Sequence, residues 1–172
     1  MKSEKNIWNL IESCLHYFLY NVLRLKLSPL QWNGLIQFVK FGLVGLSNTI
    51  ISYIIYLIVF SLMQTLNLFS DFDYLIAQVI SYMLSILWSF YLNNKYVFKQ
   101  QENHKRNIIR ALLKTYISYS FTGIFLNSLL SIFWVEILQL SKVIAPCINL
   151  LISIPINFII NKFWAFRDSK KE

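Results

Sequence analysis

Four long runs of this chain contain no ionisable side chain, and runs of that length leave few places to fold. Between Lys40 and Asp71 lie 30 residues without an acid, a base or a histidine. Residues 74–94 add 21 more, 115–135 another 21 and 143–161 a further 19. A helix rises about 1.5 Å per residue, so each run can cross the roughly 30 Å hydrocarbon core of a bilayer. The basic residues divide unevenly around these runs. Five Lys or Arg lie at or before Lys40, six lie in 95–114, and four follow from Lys162 onward. The connection holding Asp71 and Asp73 has none, and the one around Glu136 has only Lys142. The positive-inside rule then places both termini in the cytoplasm. The expected fold is an all-α membrane protein with four transmembrane helices arranged as two hairpins, in the cytoplasmic membrane.

Composition removes the main rivals. With 56% hydrophobic and 14% charged residues and a mean hydropathy of +0.51, the chain lacks the polar surface of a soluble domain. Its net charge of +8 sits beside the spans, where anionic lipid rather than nucleic acid is the natural partner. Cys14, Cys147, His16 and His104 are isolated in sequence, so neither a disulfide nor a metal site is expected. No glycine-rich phosphate loop and no Ser/His/Asp set stands out. We therefore expect no cofactor and no enzyme. The apolar stretch from Ile7 is interrupted by Glu12 and His16 and has no small-residue cleavage site, which argues against a cleaved leader.

Residues 6–23 read as an amphipathic interfacial helix. Ile7, Leu10, Ile11, Cys14, Leu15, Phe18, Leu19 and Val22 follow helical spacing, opposite Asn6, Asn9, Ser13 and His16, until Ser28-Pro29 ends the pattern. Such a helix can rest on the bundle or the leaflet, or dock a partner. The division expected is an interfacial helix and linker at 1–35, a four-span domain at 36–168 and a short tail at 169–172.

The second and fourth spans align without a gap when shifted by 68 residues. Ala77 falls on Ala145, Ile80 on Ile148, Ser85 on Ser153, Phe90 on Phe158, Asn93 on Asn161 and Phe98 on Phe166. Lys40 and Lys114 occupy matching places before the first and third spans. Equivalent spans run in the same direction, so the repeat axis is expected along the membrane normal.

Each span also carries an uncharged polar stripe at helical spacing. The fourth has Asn149, Ser153, Asn157 and Asn161; the second has Ser81, Ser85, Ser89 and Asn93. The first offers Gly45, Asn48 and Ser52, and the third Ser120, Gly123, Asn127 and Ser131. An amide facing lipid loses its hydrogen bonds to water and gains none, so the stripes should face one another. They can serve as helix–helix glue or line a polar path for a sugar or head group. Pro155 frees the carbonyl of Leu151 and predicts a bend, tolerated or hinge-like. The absence of any buried acid or base disfavours an ion-coupled carrier. Lys40, Lys95, Lys99, Arg110, Lys114, Lys162 and Arg167 gather at the inner mouth. They set topology and attract anionic lipid, or a subset binds a lipid phosphate together with the amides of Asn93 and Asn161.

At these residues the chain resembles the GtrA-like family. Phe41-Gly42-Leu43-Val44-Gly45 with Asn48-Thr49 is similar to that family's entry. Ser89-Phe90-Tyr91-Leu92-Asn93 with Tyr96-Val97-Phe98 resembles its first hairpin end. Gly123-Ile124-Phe125-Leu126-Asn127 is similar to its third span, and the run from Asn157 through Asn161-Lys162 to Phe166 to its closing motif. Where family members often carry a base directly after the first hairpin's Asn, this chain has Asn94, with Lys95 next. The resemblance implies translocation of a polyprenyl-phosphate-linked sugar for cell-surface polysaccharide or teichoic-acid glycosylation. Its implied substrate contacts are Lys40, Asn48, Asn93, Lys95, Lys114, Asn127, Asn157, Asn161 and Lys162. The alternative is a non-catalytic accessory subunit that anchors a glycosyltransferase. Four helices make a thin wall around a sugar, which leaves a homo-oligomer open.

Overall fold

The computed structural model describes residues 2–22, 24, 26–68, 71–100, 104–167 and 169–170. The chain divides into two compact units, Met1–Val39 and Lys40–Glu172.

In the first unit, α1 (Lys2–His16) runs on into a π-helical turn, Tyr17–Val22. Here the predicted N-terminal helix is present. The His16 ring stacks on Tyr20 at 4.3 Å and meets Trp32 edge-on at 5.5 Å. The second helix, α2 (Pro29–Thr65), begins at Ser28-Pro29 for a local reason. The Ser28 hydroxyl accepts from the Gln31 N–H at 3.3 Å, and the Gln31 amide oxygen accepts from the Ser28 N–H at 2.9 Å. This is a capping box with proline as the first helical residue, where its missing N–H costs nothing. The dipeptide that closes the amphipathic pattern therefore also opens the next helix.

Among the described residues, four helices are long and apolar enough to cross a membrane: Pro29–Thr65, Asp73–Val97, Ile108–Ile137 and Ala145–Ala165. The second consists of α3 (Asp73–Leu92) and a π-helical end, Asn93–Val97. The third joins α4 (Ile108–Ser120) to α5 (Asn127–Ile132) through a π-helical segment, Phe121–Leu126, and finishes in another, Phe133–Ile137. The fourth is α6 (Ala145–Ile160) with its own π-helical end, Asn161–Ala165. Asn107 caps α4 by accepting from the Arg110 N–H at 3.0 Å. Pro155 lies within α6, which continues through it to Ile160. A two-residue antiparallel ladder pairs β1 (His104–Lys105) with β2 (Ser169–Lys170), tying the inter-hairpin connection to the tail.

The repeat is visible in three dimensions. Asn93 and Asn161 each open a π-helical turn, closed by Phe98 N–H to Asn93 C=O at 2.7 Å and Phe166 N–H to Asn161 C=O at 2.9 Å. Phe90 stacks against Phe166 at 5.4 Å, and its counterpart Phe158 meets Phe98 at 5.8 Å. Phe98 and Phe166 stack on each other at 4.8 Å. A contact between one residue and its own repeat mate, flanked by an exchanged pair, is what a two-fold relation produces. Phe41 of the first span joins this ladder, 5.5 Å from Phe158 and 6.0 Å from Phe98.

Outward surfaces are apolar: Leu46, Ile50, Ile58, Val79, Ile117, Ile124 and Leu151 are more than half exposed, as lipid-solvated helices require. The glycines are not points of close approach. A methyl group added at Gly42, Gly45 or Gly123 meets no atom within 4 Å.

Two outcomes follow. Phe98→Ala and Phe166→Ala should each destabilise the bundle by about 3 kcal/mol, as buried phenylalanine truncations do, and Leu at either place by clearly less; thermal unfolding in detergent measures this. Gly123→Ala should be neutral or stabilising by up to about 1 kcal/mol, since the helix gains propensity and nothing clashes.

Candidate functional site

The polar groups of the second, third and fourth spans converge, and two consecutive residues of the third span reach both of the repeat-related asparagines. Tyr119 reaches the second span, where its OH shares a 2.6 Å hydrogen bond with the Ser89 hydroxyl and accepts from Asn93 Nδ2 at 3.5 Å. Asn93 Nδ2 also donates to Ser89 Oγ at 3.2 Å. Ser118 reaches the fourth span, donating to Asn157 Oδ1 at 2.8 Å and accepting from Asn161 Nδ2 at 3.0 Å. Asn161 Nδ2 further contacts the Asn157 carbonyl and amide oxygens at 2.8 and 2.9 Å. Both repeat-related asparagines are fully buried.

A second cluster lies further along the same two spans. Asn149 Nδ2 donates to Ser131 Oγ at 2.7 Å and to the Asn127 carbonyl at 3.2 Å, while Ser153 Oγ donates to Asn127 Oδ1 at 3.1 Å. The first span contributes less. Ser47, rather than Asn48 or Ser52, meets the second span, its Oγ accepting from Trp88 Nε1 at 3.3 Å.

Much of the polar stripe of the fourth span, and Ser89 and Asn93 of the second, are thus engaged in joining helices. The engagement is incomplete, however. Among the described residues, the amide oxygens of Asn48, Asn93, Asn149 and Asn161 are buried without a hydrogen-bond partner, as is Trp134 Nε1. An amide oxygen has two lone pairs, and leaving it unpaired away from water costs about 1–3 kcal/mol.

The predicted cations sit on aromatic rings. Lys95 Nζ donates to Tyr91 OH at 3.3 Å and lies 4.8 Å from the Tyr96 ring centre. Lys162 lies 5.4 Å from Phe158 and 5.7 Å from Phe163. Lys114 Nζ lies 5.2 Å from the Trp164 ring and donates to the Trp164 carbonyl at 3.2 Å. Lys40 is half-buried on the first span. Cations on ring faces are favoured by the ring quadrupole.

Of the nine predicted residues, Asn93, Asn157 and Asn161 come together around Ser118 and Tyr119. Asn127 belongs to the second cluster and Asn48 to the first span, while the lysines decorate the basic end. A hollow of about 480 Å³ is lined by Tyr116, Ile117, Ser120, Phe121, Ile124 and Phe125, all on the third span. Another of about 530 Å³ lies in the N-terminal unit between α1 and Trp32. None of the nine lines either.

Ser118 and Tyr119 escaped the sequence reading. The buried third-span residues are Thr115, Ser118 and Thr122, with Asn127 and Ser131 half-buried beyond them; of the expected stripe Gly123 is exposed, while Ser120 is half-buried and shares a 3.2 Å hydrogen bond with Tyr82 OH of the second span. The step from Thr122 to Asn127 is five residues, the spacing of the π-helical segment between them. A search at α-helical spacing passes over it. The hydroxyl run Thr115-Ser118-Thr122 was the available signal.

A bundle of apolar helices with an uncharged polar interior and cations at one end defines a multi-pass membrane protein whose interior is built for neutral polar groups. The family model describing the GtrA/DPMS transmembrane domain matches residues 40–166, and the chain belongs to that family. Curated proteins offer no sequence match to the chain. The match begins at the first residue of the second compact unit, so α1 lies outside it.

Ser118→Ala and Asn161→Ala should be non-additive by about 1 kcal/mol in unfolding free energy, because both break one network. Ser118→Ala and Asn149→Ala, which share no partner, should add. A double-mutant cycle by thermal unfolding in detergent distinguishes the two cases.

Proposed function

We propose that this protein translocates a polyprenyl-phosphate-linked sugar across the cytoplasmic membrane, with both termini in the cytoplasm, for glycosylation of a cell-surface polysaccharide or teichoic acid. The observation that carries this reading is the set of buried, unpartnered amide oxygens in spans that hold no interior charge. Asn149 and Asn161 lie 12 residues apart on one helix, about 18 Å along its axis. Asn93 and Asn48 add acceptors on two other spans. Sugar hydroxyls are donors of the required kind, and a neutral hydroxylated group gains from such acceptors without needing a counter-charge. The basic end, where Lys40, Lys95, Lys114 and Lys162 sit, suits the phosphate, and the apolar exterior suits a polyprenyl tail. Membership of the GtrA/DPMS family supports the same reading. Among the described residues the only buried acid is Asp73, in the first turn of α3, and none lies mid-span to provide a coupling site, so movement runs down the substrate gradient, drawn by consumption outside.

One observation favours a second reading, a non-catalytic subunit that anchors a glycosyltransferase: most polar side chains of the third and fourth spans already bond to each other. The two readings part on one experiment. Purified protein in liposomes with a labelled polyprenyl-phosphate sugar should move it faster than empty vesicles. Asn93→Ala and Asn161→Ala should each lower that rate roughly tenfold or more, the effect of about 1.4 kcal/mol, with protein level unchanged. A rate equal to that of empty vesicles overturns the translocation reading; co-purification with a transferase that survives both substitutions establishes the other.

A further inference from the structure

Amphipathic helices ordinarily turn their apolar side toward the element they pack on. The N-terminal unit does the reverse. Asn9, Ser13, His16 and Asn21 lie on the side of α1 and its π-helical turn that faces Trp32 across the hollow of about 530 Å³. Phe18 and Val22, on the opposite side, stay exposed. Apolar burial does not account for a helix held this way round. The volume falls within the roughly 300–1,000 Å³ of small-molecule pockets.

Three rings brace one wall of the hollow. His16 stacks on Tyr20 at 4.3 Å, and the two meet Trp32 at 5.5 and 5.9 Å. Tyr20 OH donates to the Leu27 carbonyl at 3.1 Å, and the Trp32 N–H donates to the Ser28 carbonyl at 2.9 Å in the first turn of α2. The indole is thus positioned by its own helix and by two neighbouring rings.

The lining narrows the ligand. The amides of Asn9 and Asn21 and the hydroxyl of Ser13 can each donate and accept, as sugar hydroxyls do. Trp32 and Tyr17 add flat apolar surface, which suits the C–H face of a sugar ring. The described lining includes one acid, Glu12, and no Lys or Arg, so a phosphate or carboxylate finds no such counter-charge there.

We propose that this hollow binds the pyranose ring of an uncharged sugar, its C–H face on Trp32 and its hydroxyls on Asn9, Ser13 and Asn21. The site lies outside residues 40–166, which match the family, and it stands whether or not the bundle translocates anything.

The test is saturation-transfer NMR of methyl glucoside and methyl galactoside with the full-length protein in a polyoxyethylene detergent, which carries no sugar. Wild-type protein should saturate the ring protons of at least one glycoside. Trp32→Leu should weaken that binding about tenfold, and Trp32→Phe, which keeps a ring, by clearly less. Asn9→Ala combined with Asn21→Ala should also weaken it about tenfold, as loss of two hydrogen bonds does. Both asparagines are exposed, so this pair decides the matter if Trp32→Leu does not fold. Phe18→Ala, on the other side of the helix, should change nothing. Binding that survives both Trp32→Leu and the asparagine pair places the sugar elsewhere and overturns the assignment. Absence of transfer to either glycoside from wild-type protein overturns it too, as does tighter binding of glucose 6-phosphate than of methyl glucoside. Nanodiscs containing glucosyl-diacylglycerol separate the two sources of such a ring. Loss of the methyl glucoside signal in them assigns the site to a glycolipid head group, and an unchanged signal assigns it to a soluble sugar; each supports a pyranose site.

Discussion

Hydrocarbon provides no hydrogen bonds, so an amide inside the bilayer must find its partner in the protein. That constraint organises the second unit of this chain. Ser118 and Tyr119, adjacent on one helix, point to different neighbours and hold the two equivalent asparagines of the repeat. Adjacent residues on an α-helix are separated by about 100° of rotation, which is why one span can serve two others. The third helix is consequently the hub, and the internal symmetry of the second and fourth spans is maintained by an element that does not share it. The first helix meets them through Phe41 and through Ser47.

Satisfaction of these groups is substantial but leaves a consistent remainder. Each of the four unpartnered side-chain oxygens belongs to an asparagine, and in Asn93, Asn149 and Asn161 the N–H side of the amide is engaged while the carbonyl side is not. Apart from Trp134 Nε1, the unpartnered buried groups among the described residues are therefore acceptors. Such an environment discriminates by hydrogen-bond polarity: it welcomes hydroxyls and rejects bare anions.

Much of this was legible in the residues. Charge-free runs of 19 to 30 residues define spans because backbone satisfaction and apolar transfer leave no other fold, and all four helices form. The 68-residue register emerges again as exchanged phenylalanine contacts. Asn93 and Asn161 could be singled out because amides at helical spacing in an apolar run have to face inward. What sequence could not show has physical causes. The π-helical segment Phe121–Leu126 puts Thr122 rather than Gly123 on the buried face, in line with Ser118, which a search at α-helical spacing passes over. Small residues suggested close helix contact at Gly45 and Gly123, but their side faces open space. Arg106 looked like one base among several in a polar connection, since its bond to Asn94 spans 12 residues and follows no periodicity.

The stacking of Phe98 on Phe166 has a wider implication. A ring that packs against its own equivalent is self-complementary, the property that defines an isologous interface between identical subunits. Either hairpin alone presents both halves of that contact. A two-span fragment could therefore associate with a copy of itself in parallel orientation, and two full-length chains could exchange hairpins through the same surface. The present fold amounts to such a dimer written into a single polypeptide, with the covalent link providing the freedom for its halves to diverge.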